Sequence, residues 1–215
     1  MCNNRYRYNI EREQRWGMAR NGEEPAIKAL VQRINNRFCD SIVPQRYDDM
    51  WFRIYNPENI QWVRGCSDYY LDILSNGNYR TYMYIEIKIK NTCFDATING
   101  GVRSGQVISN YGCASYYLDE YVHNHMNEFC NRANIPTNSF VIMFTDSNFN
   151  SIRLISLCEI NNLLANGWNR VVISTFGADY GSRSYLIPID ATHNIDEISA
   201  NQLAGYTSNV LSIPR

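Results

Sequence analysis

Residues 65–90 read GCSDYYLDILSNGNYRTYMYIEIKIK, and their alternation decides the fold. Two β-rich runs, 67–74 and 80–90, flank the segment Ser75-Asn76-Gly77-Asn78-Tyr79. Asn-Gly between such runs is the strongest short-range hairpin signal. Side chains of a strand alternate between its faces. Ile85, Ile87 and Ile89 therefore point together into a core, and Glu86, Lys88 and Lys90 point together the other way. An antiparallel strand with one wet face accounts for that pattern. So does a metal-binding carboxylate beside a lysine that holds or activates a water.

The hairpin loop decides which acid joins Glu86. With a two-residue loop, Asn76-Gly77, Asp68 pairs with Ile85 and sits on the wrong side. With a three-residue loop, Asn76-Gly77-Asn78, Ser75 faces Tyr79 and Asp68 lies across from Glu86. Opposed Cβ atoms are about 5 Å apart, close enough for one divalent ion to bridge the two carboxylates. Asp72 shares the face but sits roughly 13 Å further along at the strand rise, and is expected to cap or solvate the hairpin. Mg²⁺ keeps several of its waters, so two carboxylates plus a backbone carbonyl, taken as that of Ile87, suffice. Such an ion lowers the pKa of a bound water and neutralises charge on a phosphodiester. Lys88 orients the water or stabilises the phosphorus centre as a point charge.

The same pattern resembles the PD-(D/E)xK nuclease superfamily: an aspartate heading one strand, a short hairpin, then apolar-Glu-apolar-Lys. Asp68, Glu86 and Lys88 are the matching residues, and the resemblance covers about residues 23–145. Ser67 stands where the name-giving proline would. The resemblance implies an α/β, restriction-endonuclease-like fold with a central mixed β-sheet flanked by helices. It implies an endonuclease that hydrolyses double-stranded DNA with Mg²⁺ (or Mn²⁺). It also implies a further acid from the helix before the hairpin, Glu23 or Glu24, with Glu24 assigned to the metal. A polar residue toward the site is implied at Gln106 on the helix after the hairpin; apart from the resemblance, the Gly-rich stretch 100–105 reads either as a loop whose backbone approaches phosphate, with Arg103 contacting the nucleic acid, or as an ordinary connection. Within the family, a restriction-type homodimer fits a chain with no separate DNA-reading part, since cutting both strands of a symmetric site calls for two centres. A junction-resolving, repair or phage nuclease is the alternative, as is an inactive nucleic-acid-binding relative.

The rest of the chain supports one α/β domain over residues 1–215. Residues 23–38 read as a helix, with Ala26, Leu30, Ile34 and Phe38 on one face and Pro25 near its start. Residues 106–132 read as helical, 139–145 as a strand buried on both faces, and 170–175 and 184–189 as further strands. Residues 152–164 begin ambiguously and end helical, and 196–203 add a short helix. No run of about 18 apolar residues exists and no secretory signal opens the chain, so a cytoplasmic location is expected.

Seven cysteines, odd in number and never in a CxxC pair, argue against disulfides and structural zinc. His123 and His125 diverge by about 200° on a helix and cannot easily share a metal, so they read as surface residues. His193 is isolated. No Walker A motif and no G-x-S-x-G elbow is present. The net charge of −1 gives no electrostatic hint of nucleic acid by itself.

Overall fold

The structure, a computed structural model, describes residues 22–38, 41–46, 51–56, 59–64, 66–75, 79–90, 102–103, 106–107, 115–168, 171–173, 181 and 183–209. Its centre is a six-stranded sheet in the order β1-β4-β5-β9-β10-β13. The strands are β1 (Ser41–Arg46), β4 (Tyr69–Ser75), β5 (Tyr79–Lys90), β9 (Phe140–Asp146), β10 (Ile152–Ser156) and β13 (His193–Asn194). β5 and β9 run parallel, and the other neighbours are antiparallel. The sheet is therefore mixed, and helices flank it, as the pattern predicts.

The β4–β5 hairpin has the expected register. Ser75 faces Tyr79 and Tyr69 faces Ile85. Continued by one residue, that register sets Asp68 against Glu86. The register holds because a slip by one residue would turn every apolar side chain of β5 out of its core.

Helix α1 (22–38) covers one face of the sheet. Its Ala26, Ile27, Leu30 and Ile34 are buried against Ile85, Ile87, Leu71 and Met143. Helix α4 (Ala200–Gly205) joins the same core through Leu203. The opposite face is a second core, not the wet face that alternation allowed. There Tyr84, Phe140, Ile142 and Phe144 meet helix α2 (Glu120–Ala133) and helix α3 (Leu157–Ala165). A three-stranded sheet also packs there, in the order β11 (Val171–Ile173), β12 (Arg183–Pro188) and β8 (Ser115–Asp119). Tyr116 of β8 stacks on Phe144 with ring centroids 4.2 Å apart. Two antiparallel ribbons, β2 (Trp51–Asn56) with β3 (Asn59–Arg64) and β6 (Val102–Arg103) with β7 (Gln106–Val107), complete the strands.

Several expectations are corrected here. Residues 106–132 are not one helix, because β7 and β8 precede α2. Ser115 to Leu118 hold strand geometry through their pairing with β12, a partner some 70 residues away in the chain. Residues 152–164 resolve into β10 and then α3. The switch is made at Ser156, whose hydroxyl accepts from the Glu159 N–H while the Glu159 carboxylate accepts from Ser156 N–H, a reciprocal helix start. The short C-terminal helix begins at Ala200, after a turn through Asp196. Among the described residues no helix is long and apolar enough to cross a membrane.

Candidate metal centre

Asp68 stands in the bend just before β4, and Glu86 and Lys88 on the buried half of β5. The last β4–β5 pair is Tyr69 with Ile85, so the Ile87 N–H, two residues on, has passed the end of the ladder. It donates to Asp68 Oδ2 at 2.7 Å. That bond pins the carboxylate to β5. A strand residue presents its N–H and C=O to the same neighbour, so the Ile87 carbonyl faces the Asp68 side too. Lys88 Nζ donates to Glu86 Oε1 at 2.7 Å. Both side chains are largely enclosed, Glu86 at 12% and Lys88 at 31% exposure. A carboxylate this buried is the informative kind of exception.

The acids feel one another. Burial, then the Glu86 and Glu23 carboxylates, push the Asp68 acid well above the ordinary aspartate range, against the Ile87 N–H and Lys88, which pull it down. Burial works against the Lys88 ammonium, but Glu86, Asp68 and Asp119 outweigh it and hold lysine above its usual value. Cys66, a free thiol at the edge of the cluster, is pushed up by burial and then by Glu86. Ser67 is fully buried, and among the described residues its Oγ has no hydrogen-bond partner.

The two candidate helix acids part company. Glu24 is 63% exposed and pairs with Lys28 at 2.6 Å, whose hydrogen bond and charge lower its pKa. It is not brought to the cluster. Glu23 is, with its charge acting on Asp68, and its carboxylate takes Arg46 Nη1 at 2.7 Å. The helix start packs on β5: a Cβ at Gly22 would stand 2.8 Å from the tip of the Ile89 side chain. Arg103 and Gln106 face each other in the β6–β7 ribbon, and their side chains lie outside the described residues. Gln106 is thus on a strand and not on a helix.

The residues present fit a hard divalent ion. The donor set is all oxygen, and Asp68 is raised first by burial and then by the neighbouring Glu86 and Glu23 carboxylates. Among the described residues no three His, Cys, Asp or Glu side chains form a cage on their own. Mg²⁺ does not require one, since it keeps several waters and is commonly held by one or two carboxylates.

Sequence reasoning missed Arg46 and Asp119. Arg46 ends a strand that Pro44 disguises, and Asp119 ends β8, inside the segment read as helix. His123 was expected at the surface and is buried. Its Nε2 lies 2.8 Å from Asn161 Oδ1, and Asn127, one turn along α2, bonds to both. The spacing i, i+4 between His123 and Asn127 was the available signal. His193 is not isolated: its Nε2 lies 3.0 Å from Glu159 Oε1, and Tyr206 donates to the same carboxylate at 2.9 Å. Asp72 pairs with Arg80 at 3.0 Å near the hairpin end.

No family model matches the sequence, and no curated protein matches it. Among solved structures, the chain is similar to D212, a nuclease from a fusselovirus, at 14% identity and a TM-score of 0.47. The overlap covers 87% of this chain and 92% of that one.

Proposed function

We propose that the protein is a metal-dependent nuclease that hydrolyses phosphodiester bonds in double-stranded DNA, as a restriction-type homodimer. The observation that carries this reading is the buried meeting of Asp68, fixed on the Ile87 N–H, with Glu86 and its lysine partner 2.7 Å away. Asp68, Glu86 and the Ile87 carbonyl would hold Mg²⁺ or Mn²⁺. When bound, that ion supplies Lewis acidity toward a phosphoryl oxygen and a more acidic water. Without metal, Glu86, Asp68 and Asp119 hold the Lys88 ammonium above its usual value, so it offers a positive charge and a hydrogen-bond donor to water or phosphate. The aromatic core behind Glu86 keeps bulk water from screening these charges. Arg103 and Gln106 are proposed to contact the nucleic acid.

Supercoiled plasmid incubated with Mg²⁺ or with EDTA tests the reading. Conversion to nicked or linear form is expected with Mg²⁺ alone. Glu86→Ala and Asp68→Ala should each lower the rate by about 10²-fold or more, as loss of a group acting on charge in the transition state does. No conversion under either condition would leave a nucleic-acid-binding module of the same architecture. Sequencing the fragment ends separates the finer readings: a recurring short sequence supports restriction, and branch-dependent cuts support junction resolution.

A further inference from the structure

A cavity of about 350 Å³ lies at the β13 edge of the central sheet, with β9 and β10 between it and β5. That volume is within the range of small-molecule sites. One wall is organised by Glu159. Its Oε2 accepts from Ser156 N–H at 2.7 Å, Ser156 Oγ–H at 2.9 Å and Tyr206 O–H at 2.9 Å, and its Oε1 lies 3.0 Å from His193 Nε2. An ionised carboxylate only accepts, so Nε2 carries a hydrogen and Nδ1 is left as the acceptor of the neutral ring. Gln202 lies on that side. Its Oε1 accepts from Ser199 N–H at 2.9 Å and Oγ–H at 3.0 Å, which turns the amide nitrogen toward His193 Nδ1. Their separation is 3.5 Å, the outer limit of a hydrogen bond. An acceptor and an N–H donor thus stand side by side, loosely engaged with one another. The His193 and Glu159 side chains are 34% and 36% exposed, so this wall is open to a ligand. The described lining holds no lysine or arginine.

We propose that this cavity is a second binding site, for an uncharged nucleobase presented as a free nucleoside. A nucleobase carries an N–H donor beside a ring or carbonyl acceptor, the complement of the wall. His193 Nδ1 accepts from that N–H, and the Gln202 amide donates to the neighbouring acceptor. The His193 and Tyr206 rings, with centroids 6.1 Å apart, give a planar ligand an apolar surface to pack on. Anions are disfavoured, because a phosphate here would meet Glu159 with no cation to offset it. A base within a strand offers the same edge but brings phosphates, so phosphorylated probes separate the two sources. The proposal stands on this cluster alone and does not depend on the metal-centre reading.

Calorimetric titration of the full chain with uridine and with adenosine reads the affinity. Alkylation of Cys158 by iodoacetamide, followed by peptide mass mapping, reads the place, because that thiol lines the cavity. At least one nucleoside is expected to bind with a Kd of about 1 mM or below and to slow labelling of Cys158 in a saturable way. Its 5′-monophosphate, and the form methylated at the base N–H (3-methyluridine or N6,N6-dimethyladenosine), should each bind about tenfold more weakly or less. Gln202→Glu keeps an oxygen to cap α4 and removes the amide donor, and should cause a similar loss with an unchanged circular dichroism spectrum. Binding by neither nucleoside, or binding without protection of Cys158, would overturn the site. Equal affinity for the monophosphate or the methylated form, or for a folded Gln202→Glu, would overturn the class of ligand. Should Gln202→Glu fail to fold, His193→Phe, which keeps a ring and loses both nitrogens, and the methylated probes decide.

Discussion

Asp68 concentrates the chemistry of the site in one carboxyl group. Its acid is raised by burial and by Glu86 and Glu23, so the folded chain without metal binds that proton more tightly than the unfolded chain does. The sign follows: stability is lost as pH rises from the ordinary aspartate range through the raised folded value, and the whole penalty is present above it. Asp68→Asn should therefore raise the metal-free Tm at neutral pH by at least about 2–4 °C, the shift that 1 kcal/mol produces in a chain of this size. Mn²⁺ should raise the Tm of the unaltered protein more than that of Asp68→Asn, because the variant lacks one of the two carboxylates that would hold the ion. A thermal melt at pH 5 and pH 7, with and without Mn²⁺, checks both statements. Ser67 supplies a contrasting case. Its buried hydroxyl has no hydrogen-bond partner among the described residues, so Ser67→Ala should leave Tm equal or slightly higher. A fall of several degrees in the same melt would contradict that.

Among the elements, β5 carries most of the function because its two faces serve two cores. Met83, Ile85 and Ile87 hold α1, while Tyr84 and Glu86 look toward α2 and the small sheet. The register of β4 then delivers Asp68, and the start of α1 on Ile89 delivers Glu23. Further off, α3 begins at the reciprocal Ser156–Glu159 cap, and the same Glu159 carboxylate gathers His193 and Tyr206. Ser156→Ala should cost about 1 kcal/mol, the usual value of such a cap, and should leave cleavage of plasmid unchanged, since the cap lies two strands away from Glu86 in the sheet and bonds to α3 instead. A melt and a rate measurement on one preparation separate the two effects.

At the level of the whole molecule, the second core is what makes Glu86 and Lys88 unusual. Without the β11-β12-β8 sheet their face would be wet and their pairing a weak surface bridge. Tyr116 joins that sheet to the central one by stacking on Phe144. Tyr116→Ala should destabilise the chain by about 3–5 kcal/mol, the usual cost of emptying an aromatic site in a core, as read from a urea midpoint. Tyr116→Phe keeps the ring and should recover most of that loss. If the alanine variant melts as the original does, the small sheet is not part of the cooperative core.

The residues alone determined the β4–β5 hairpin and the inward face of α1, and they narrowed the register to two loop lengths, of which the structure has the one that sets Asp68 against Glu86. All of these are local: they follow from alternation, helical periodicity and a turn sequence a few residues long. They did not determine which of Glu23 and Glu24 turns inward, because adjacent helix positions differ only in what they are packed against. Nor did they reveal β1, β8 or the cation at Arg46, whose conformations depend on partners far along the chain. Burial of the Glu86 face was likewise a tertiary outcome. A strand reads the same in sequence whether water or a second sheet lies over it, and only the second sheet gives its charges their strength.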